Sequence, residues 1–420
     1  MSLLKENYCL NRSNYFKKIE DYSLTIMFSG RNIQKTGDQD FDFEVDKNFY
    51  YLTGINQNDV ILVMLKNEQI EKSVLFIEKN DPVYMKWYGK KLTKDEAKEI
   101  SGIDNIYYLE QFSQFVFSSI NSTRQGNNLY DKIYLNLERR NSKGYTTPAL
   151  EYAKEIKDKY PEIQIFNNYN TIVNLRMYKS NEEVDLIKAS IETTRFGIEE
   201  LMKNSKSGIY EYQLESYYDM YIKMNGQKDV SFKTIAAGGV NATVLHYSTN
   251  NTILHDDELV LFDLGCRTDY YISDITRTFP VNGRFNKRQK EVYEKVLNVN
   301  KKCIEFLKDG ITWKEYNDYA RDLIAKACID LGLIKDESEV GKYYWHSIGH
   351  SIGLDTHDPS LNYLPIKEGM TLTVEPGIYI EEEKIGIRIE DDVLITKDGC
   401  INLSKDIIKE VKDIEEFMKK

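Results

Sequence analysis

Nowhere among the 420 residues do about 18 apolar residues run together, so no segment is expected to cross a membrane as a helix. The start, MSLLKENYCLNRSNYF, lacks the basic stretch and following apolar run of a secretory signal, which gives the expectation of a cytoplasmic protein. Cysteine is sparse and never paired as CxxC: Cys9, Cys266, Cys303, Cys328 and Cys400 are scattered and odd in number, arguing against structural disulfides and a thiolate zinc site. Basic residues are in deficit, 56 against 67 acidic, for a formal charge of -11; nucleic acids and anionic membranes, which need clustered Lys and Arg, are poor partners. The absence of HExxH excludes the mononuclear zinc-protease pattern. Without GK[ST] or GxGxxG, Gly238-Gly239 reads as a turn and not as an anion-binding nest. There is no internal repeat at a solenoid period and no low-complexity linker.

The length suits two or three domains of roughly 150 residues each, and a hydrophobic content of 41% is enough to fill their cores. The first half alternates β-type runs (Ser23 to Phe28, Val60 to Leu65, Ser73 to Ile77, Ile133 to Leu137, Ile163 to Phe166) with polar, helix-like stretches such as Thr93 to Ile100. That rhythm predicts an α/β domain with a mixed sheet. Ser180 to Glu183 has the S-x-x-E form of a capping box ahead of an amphipathic run reaching about Lys203, which sets the boundary near 172 to 178 and the domains at 1–174 and 175–420. Two long helices follow, Lys287 to Leu307 and Trp313 to Leu331, the second opened by a capping box of Thr312 and Glu315. Strands are expected at Glu258 to Leu264, Tyr270 to Phe279, Thr371 to Glu375 and Ile385 to Ile395.

Histidine is scarce, yet three of the five fall at 346, 350 and 357 in HSIGHSIGLDTH. Gly349 and Gly353 make a loop or strand the expected setting, and three histidines within twelve residues point to a site where a lone one would read as structural. Asp263, Asp274, Glu375 and Glu390 each stand in apolar strand sequence, where an ionised carboxylate costs several kcal/mol unless paired or metal-bound. A salt bridge to Arg277 or Arg388 would satisfy any one of them; four together with a histidine cluster favour a shared cation site. Four carboxylates and one neutral imidazole balance two divalent ions, and their mostly hard oxygen donors favour Mn²⁺, Co²⁺ or Fe²⁺, with Zn²⁺ also open.

The ordered segments LFDLGCRTDYYISDITRTFPV, HSIGHSIGLDTHD, VEPGIYI and GIRIEDD resemble the successive metal-site motifs of the aminopeptidase P and prolidase family. GDQDFDFEVDKNFYYLTG and FIEKNDPVYMKWYGKK are similar to the non-catalytic domain of aminopeptidase P. The resemblance implies a pita-bread catalytic domain and removal of the residue preceding proline at the start of a peptide, by a hydroxide shared between two metals. It also implies metal ligands Asp263, Asp274, His350, Glu375 and Glu390, with Glu375 doubling as proton shuttle and His357 stabilising the tetrahedral intermediate. His346 and His246 would line the substrate pocket, Arg388 would support the ligands, and the family's homodimers or homotetramers could bring Trp87 to a neighbour's active site. Prolidase remains the near alternative, weakened because Asp358 to Val374 holds Lys367 but no arginine to bind a dipeptide carboxylate. A non-enzymatic pita-bread module that binds proteins is the alternative of another class.

Overall fold

Period-two alternation builds the first sheet: in the strand Ser23–Phe28, Leu24 and Ile26 face one way and Thr25 the other. The computed structural model describes residues 4–121, 130–139 and 146–419. Leu24 and Ile26 join Val63, Val74, Phe76, Ile133 and Leu135 in one buried cluster with Phe112, Val116 and Ile156 from two covering helices, Phe112–Ile120 and Pro148–Lys159. On the opposite face Tyr15, from the helix Lys5–Phe16, meets Thr25 at 3.0 Å between their hydroxyls. Six strands result, in the order Asn105–Tyr108, Ile70–Ile77, Ile61–Asn67, Ser23–Phe28, Lys132–Leu135, Gln164–Asn167, antiparallel at the centre and parallel towards both edges. Both faces are covered, as a mixed sheet with parallel members requires. This unit spans Met1–Arg176 and the second spans Met177–Lys420.

The second unit opens on the helix Asn181–Asn204, whose capping box of Ser180 and Glu183 forms as its sequence predicts. An antiparallel sheet follows, Ile235–Gly238 beside Leu259–Leu264 beside Ile275–Pro280. The long helices run Lys287–Phe306 and Trp313–Asp330, the second with its Thr312 and Glu315 capping box. Thr371–Val374 then pairs with Asp391–Ile395, which pairs with Cys400–Asn402, while Gly377–Ile380 and Ile385–Arg388 form a separate ribbon.

Two expected strands are divided. Tyr270 to Phe279 is broken into Tyr271–Ile272 and Ile275–Pro280, preceded by a tight turn at Asp269 and Tyr270, whose φ values are 47° and 69°. Ile385 to Ile395 is broken after Arg388. Hydropathy cannot reveal these interruptions, because the residues at each break are as apolar or as buried as those on either side.

Candidate metal centre

The breaks are where the acidic residues sit. Asp274 lies between Tyr271–Ile272 and Ile275–Pro280, Glu375 between Thr371–Val374 and Gly377–Ile380, and Glu390 between Ile385–Arg388 and Asp391–Ile395. Only Asp263 stays inside a continuous strand, Leu259–Leu264. Leaving the ladder frees a side chain from the strict alternation of the pleat, and other backbone contacts then fix each position. The Glu390 N–H donates to the Thr276 carbonyl at 3.1 Å, the Glu375 N–H to that of Ile348 at 2.8 Å, and the Asp274 N–H to Asp392 Oδ2 at 3.1 Å. The histidine loop crosses Thr371–Val374 very closely: a Cβ on Gly349 would come within 2.1 Å of the Thr373 carbonyl oxygen. That approach seats His350, whose N–H donates to Thr373 Oγ1 at 3.0 Å.

His350 settles what the cluster is built to receive. Its Nδ1 lies 3.0 Å from the Ser351 carbonyl, which can only accept, so Nδ1 carries a proton and Nε2 is the ring atom turned inward. Nε2 is 3.5 Å from Asp274 Oδ2 and 3.6 Å from Glu375 Oε1, too far for hydrogen bonds. Ligand atoms of Asp274, His350 and Glu390 all lie within 4.8 Å of one another. Asp263 Oδ1 is buried with no hydrogen-bond partner. Burial, then Asp263, Asp392 and Glu375, push the Asp274 carboxyl well above its ordinary pKa; burial, then Asp274, Glu375 and Asp263, do the same to Glu390. Glu375 is also raised, by burial first. Buried carboxylates that repel one another around one imidazole are relieved by a divalent cation, and the donor set fits one.

Removing metal with a chelator is therefore expected to lower the melting temperature by about 5 to 10 °C. A site loaded at 100 times its Kd contributes about 2.7 kcal/mol, and a domain of this size shifts by about 2 to 4 °C per kcal/mol. Calorimetry before and after chelation checks this; an unchanged melting curve would remove the case for a bound cation.

The predicted companions fall into distinct positions. Arg388 donates from Nη2 to Asp263 Oδ2 at 2.6 Å, the ion pair considered for any single carboxylate, and from Nε to Thr276 Oγ1 at 3.0 Å. Arg277 pairs instead with Asp391, at 2.8 Å. His346 donates from Nδ1 to its neighbour Ser347's carbonyl at 2.7 Å, and burial pushes its pKa down to about 3, so the ring is neutral. The rings of His350 and His357 stand 4.1 Å apart, and partial burial with His350 and His246 nearby pushes His357 down to about 4. His246 is exposed but within electrostatic reach of both His346 and His357. Trp87 belongs to the first unit, on the helix Pro82–Tyr88, and is 78% exposed.

Three further residues of this site were not singled out from the sequence, though Asp392, like Glu390, is a carboxylate in apolar strand sequence. Tyr379 receives Arg388 Nη1 at 3.1 Å, so its own proton goes to His346 Nε2 at 2.9 Å; in the strand GIYI it looked like core. Thr276 donates to Glu390 Oε2 at 2.6 Å, and Asp392 holds the Asp274 amide.

Short strands broken at acidic residues, with those residues gathered around one imidazole, define a metal-dependent hydrolase. A model of metallopeptidase family M24 matches residues 185–397, and one of the aminopeptidase P N-terminal domain matches residues 8–130. An Xaa-Pro aminopeptidase of Haemophilus influenzae is 32% identical, with 99% of this chain and 98% of that protein covered. Among solved structures, a Bacillus anthracis protein assigned to aminopeptidase P is 44% identical with a TM-score of 0.96, covering 99% of this chain and 98% of that one. Aminopeptidase P from E. coli with the inhibitor Pro-Leu is 28% identical with a TM-score of 0.89, over the same shares. The chain belongs to metallopeptidase family M24, in its aminopeptidase P branch, and its second unit has the pita-bread fold of that family.

Proposed function

We propose that this protein is a metal-dependent aminopeptidase that removes the first residue of peptides with proline in second position. The reading rests on the convergence of Asp274, His350 and Glu390, with Glu375 beside His350, in a chain alike over nearly its whole length to Xaa-Pro aminopeptidases; Asp263 is taken as the fifth ligand. Four carboxylates balance two divalent ions, which Asp263, Asp274, His350, Glu375 and Glu390 would hold, and hard oxygen donors make Mn²⁺ the first choice. Such a pair supplies Lewis acidity and a water that ionises near neutral pH.

The chain's own groups do the rest. Arg388 orients Asp263 and Tyr379, and Tyr379 in turn fixes the His346 ring against the substrate pocket. A neutral His357 has one N–H to offer a carbonyl oxygen as it becomes negative, an interaction of a kind typically worth roughly 3 to 4 kcal/mol. Glu375 would accept a proton from the attacking water at a carboxylate oxygen and pass it to the proline nitrogen as the bond breaks. An amide nitrogen leaves as an amine only once it is protonated, and proline's is no exception. His246 faces the substrate side.

Five free cysteines, three of them fully buried, suit the cytoplasm. Trp87 and Tyr88, 78% and 75% exposed, suit a subunit interface in a homodimer or homotetramer, where Trp87 would reach a neighbour's substrate. Mn²⁺-dependent cleavage of Xaa-Pro-Yaa, Xaa-Pro and Met-Ala-type peptides tests the reading. Tripeptide cleavage at the Xaa-Pro bond is expected; cleavage of the dipeptide alone would make this a prolidase, and none at all would leave the non-enzymatic module.

A further inference from the structure

Behind the metal-facing carboxylates lies a second polar cluster, buried and made of residues that touch no substrate. Its members are Arg277, Asn300, Asp391 and Lys409. Asn300, Arg277 and Asp391 are 0% exposed. Asn300 comes from the helix Lys287–Phe306, on the same stripe as Val292, Val296 and Cys303, where an apolar residue would be ordinary.

The amide of Asn300 is fully used. Nδ2 donates to the carbonyls of Val374 and Ile389, each at 3.2 Å. These are the residues immediately before Glu375 and Glu390. Oδ1 accepts from Lys409 Nζ at 2.9 Å, and Lys409 also pairs with Asp391, the residue immediately after Glu390. Rotating the amide by half a turn would set oxygen against two carbonyl oxygens and N–H against an ammonium, so the partners fix its orientation. Arg277 closes the cluster, donating from Nη1 to the Glu390 carbonyl at 2.5 Å and from Nη2 to Asp391 at 2.8 Å.

Val374 ends the strand Thr371–Val374, and Ile389 directly follows the strand Ile385–Arg388 of a different sheet. One side chain thus bridges the two backbones that present the two glutamates, and a cation holds that side chain in place. We propose that Asn300, anchored by Lys409, is a positioning residue that sets the distance between Glu375 and Glu390 and so the pairing of the two metal ions. This role rests on the metal-site reading above, and groups of this kind typically change metal affinity about 10- to 100-fold.

The test uses the full chain, stripped of metal and titrated with Mn²⁺ by calorimetry, followed by electron paramagnetic resonance at two equivalents. Asn300→Leu keeps the number and branching of the side-chain heavy atoms and removes both donors; Asn300→Asp keeps the acceptor for Lys409 but turns an oxygen towards the two carbonyls. In both, at least one binding step is expected to weaken about 10- to 100-fold, and the signal of a spin-coupled Mn²⁺ pair should give way to that of isolated ions, with cooperative melting retained. Wild-type affinities and an unchanged coupled signal in variants that melt cooperatively would overturn the role. If neither Asn300 variant melts cooperatively, Lys409→Met, which leaves both amide donors and removes the cation that anchors them and pairs with Asp391, is read by the same two measurements. A wild-type chain that binds fewer than two Mn²⁺ overturns the metal-site reading, and this role with it.

Discussion

Replacing Glu390 with alanine is expected to lower kcat on an Xaa-Pro-Yaa peptide by about a thousandfold or more, about 4 kcal/mol of barrier at about 1.4 kcal/mol per decade. Glu390 is 2% exposed, and one of its oxygens already accepts the Thr276 hydroxyl. Its carboxylate is in the group formed with Asp274 and His350, so alanine takes away a donor that the remaining residues have no spare group to replace. The loss should be specific to function. Glu390 repels Asp274, Glu375 and Asp263, so metal-free Glu390→Ala is expected to melt no lower than the metal-free wild type. Kinetics with added Mn²⁺, metal content and melting together check the prediction. Hydrolysis that falls less than tenfold, or that survives chelation in the wild type, would sink the two-metal proposal.

The largest effect on stability is expected one residue further on. Burial alone would raise the Asp391 carboxyl, but Arg277 and Lys409 more than offset it and bring its pKa down to about 2. Asp391→Ala strands both cations, Arg277 with no exposed surface and Lys409 nearly enclosed. Removing one partner of such a buried group typically costs about 3 to 5 kcal/mol, because the charges left behind are neither hydrated nor paired. Urea unfolding should show this loss for Asp391→Ala. The triple change Arg277→Met, Asp391→Leu, Lys409→Met should lose less than the single one, since no charge is left behind. A single-variant loss below about 1 kcal/mol would mean that water reaches the two cations, contrary to their burial.

How much of this could be read from the sequence depended on what each residue contradicts locally. Asp263, Asp274, Glu375 and Glu390 stood out because carboxylates are costly in apolar strand sequence, and His346, His350 and His357 because histidine is rare elsewhere in the chain. Capping boxes at Ser180 and Thr312 were legible because the motif is local, and both formed. Apart from Asp392, the residues that support the carboxylates contradict nothing locally. Tyr379 and Thr276 are ordinary in strands, and their roles arise only when Arg388, nine residues from one and 112 from the other, folds back between them. Lys409 sits in polar sequence and reveals its part only through Asn300 and Asp391. The unit around Ser23–Phe28 was readable because its strands are apolar runs separated by polar, helix-like stretches, whereas the four-residue strand Asn105–Tyr108, polar at its start and close to the helix before it, was not.

The backing of Glu390 also has a direction in time. Arg277 reaches the carbonyls of Ile407 and Ile408, 130 and 131 residues further along the chain. A ribosome makes Asp263, Asp274 and His350 long before it makes that segment, so a growing chain carries its metal-facing groups while the wall behind Glu390 is still unwritten. Synthesis of the metal-facing groups and completion of the wall behind Glu390 are therefore separate events.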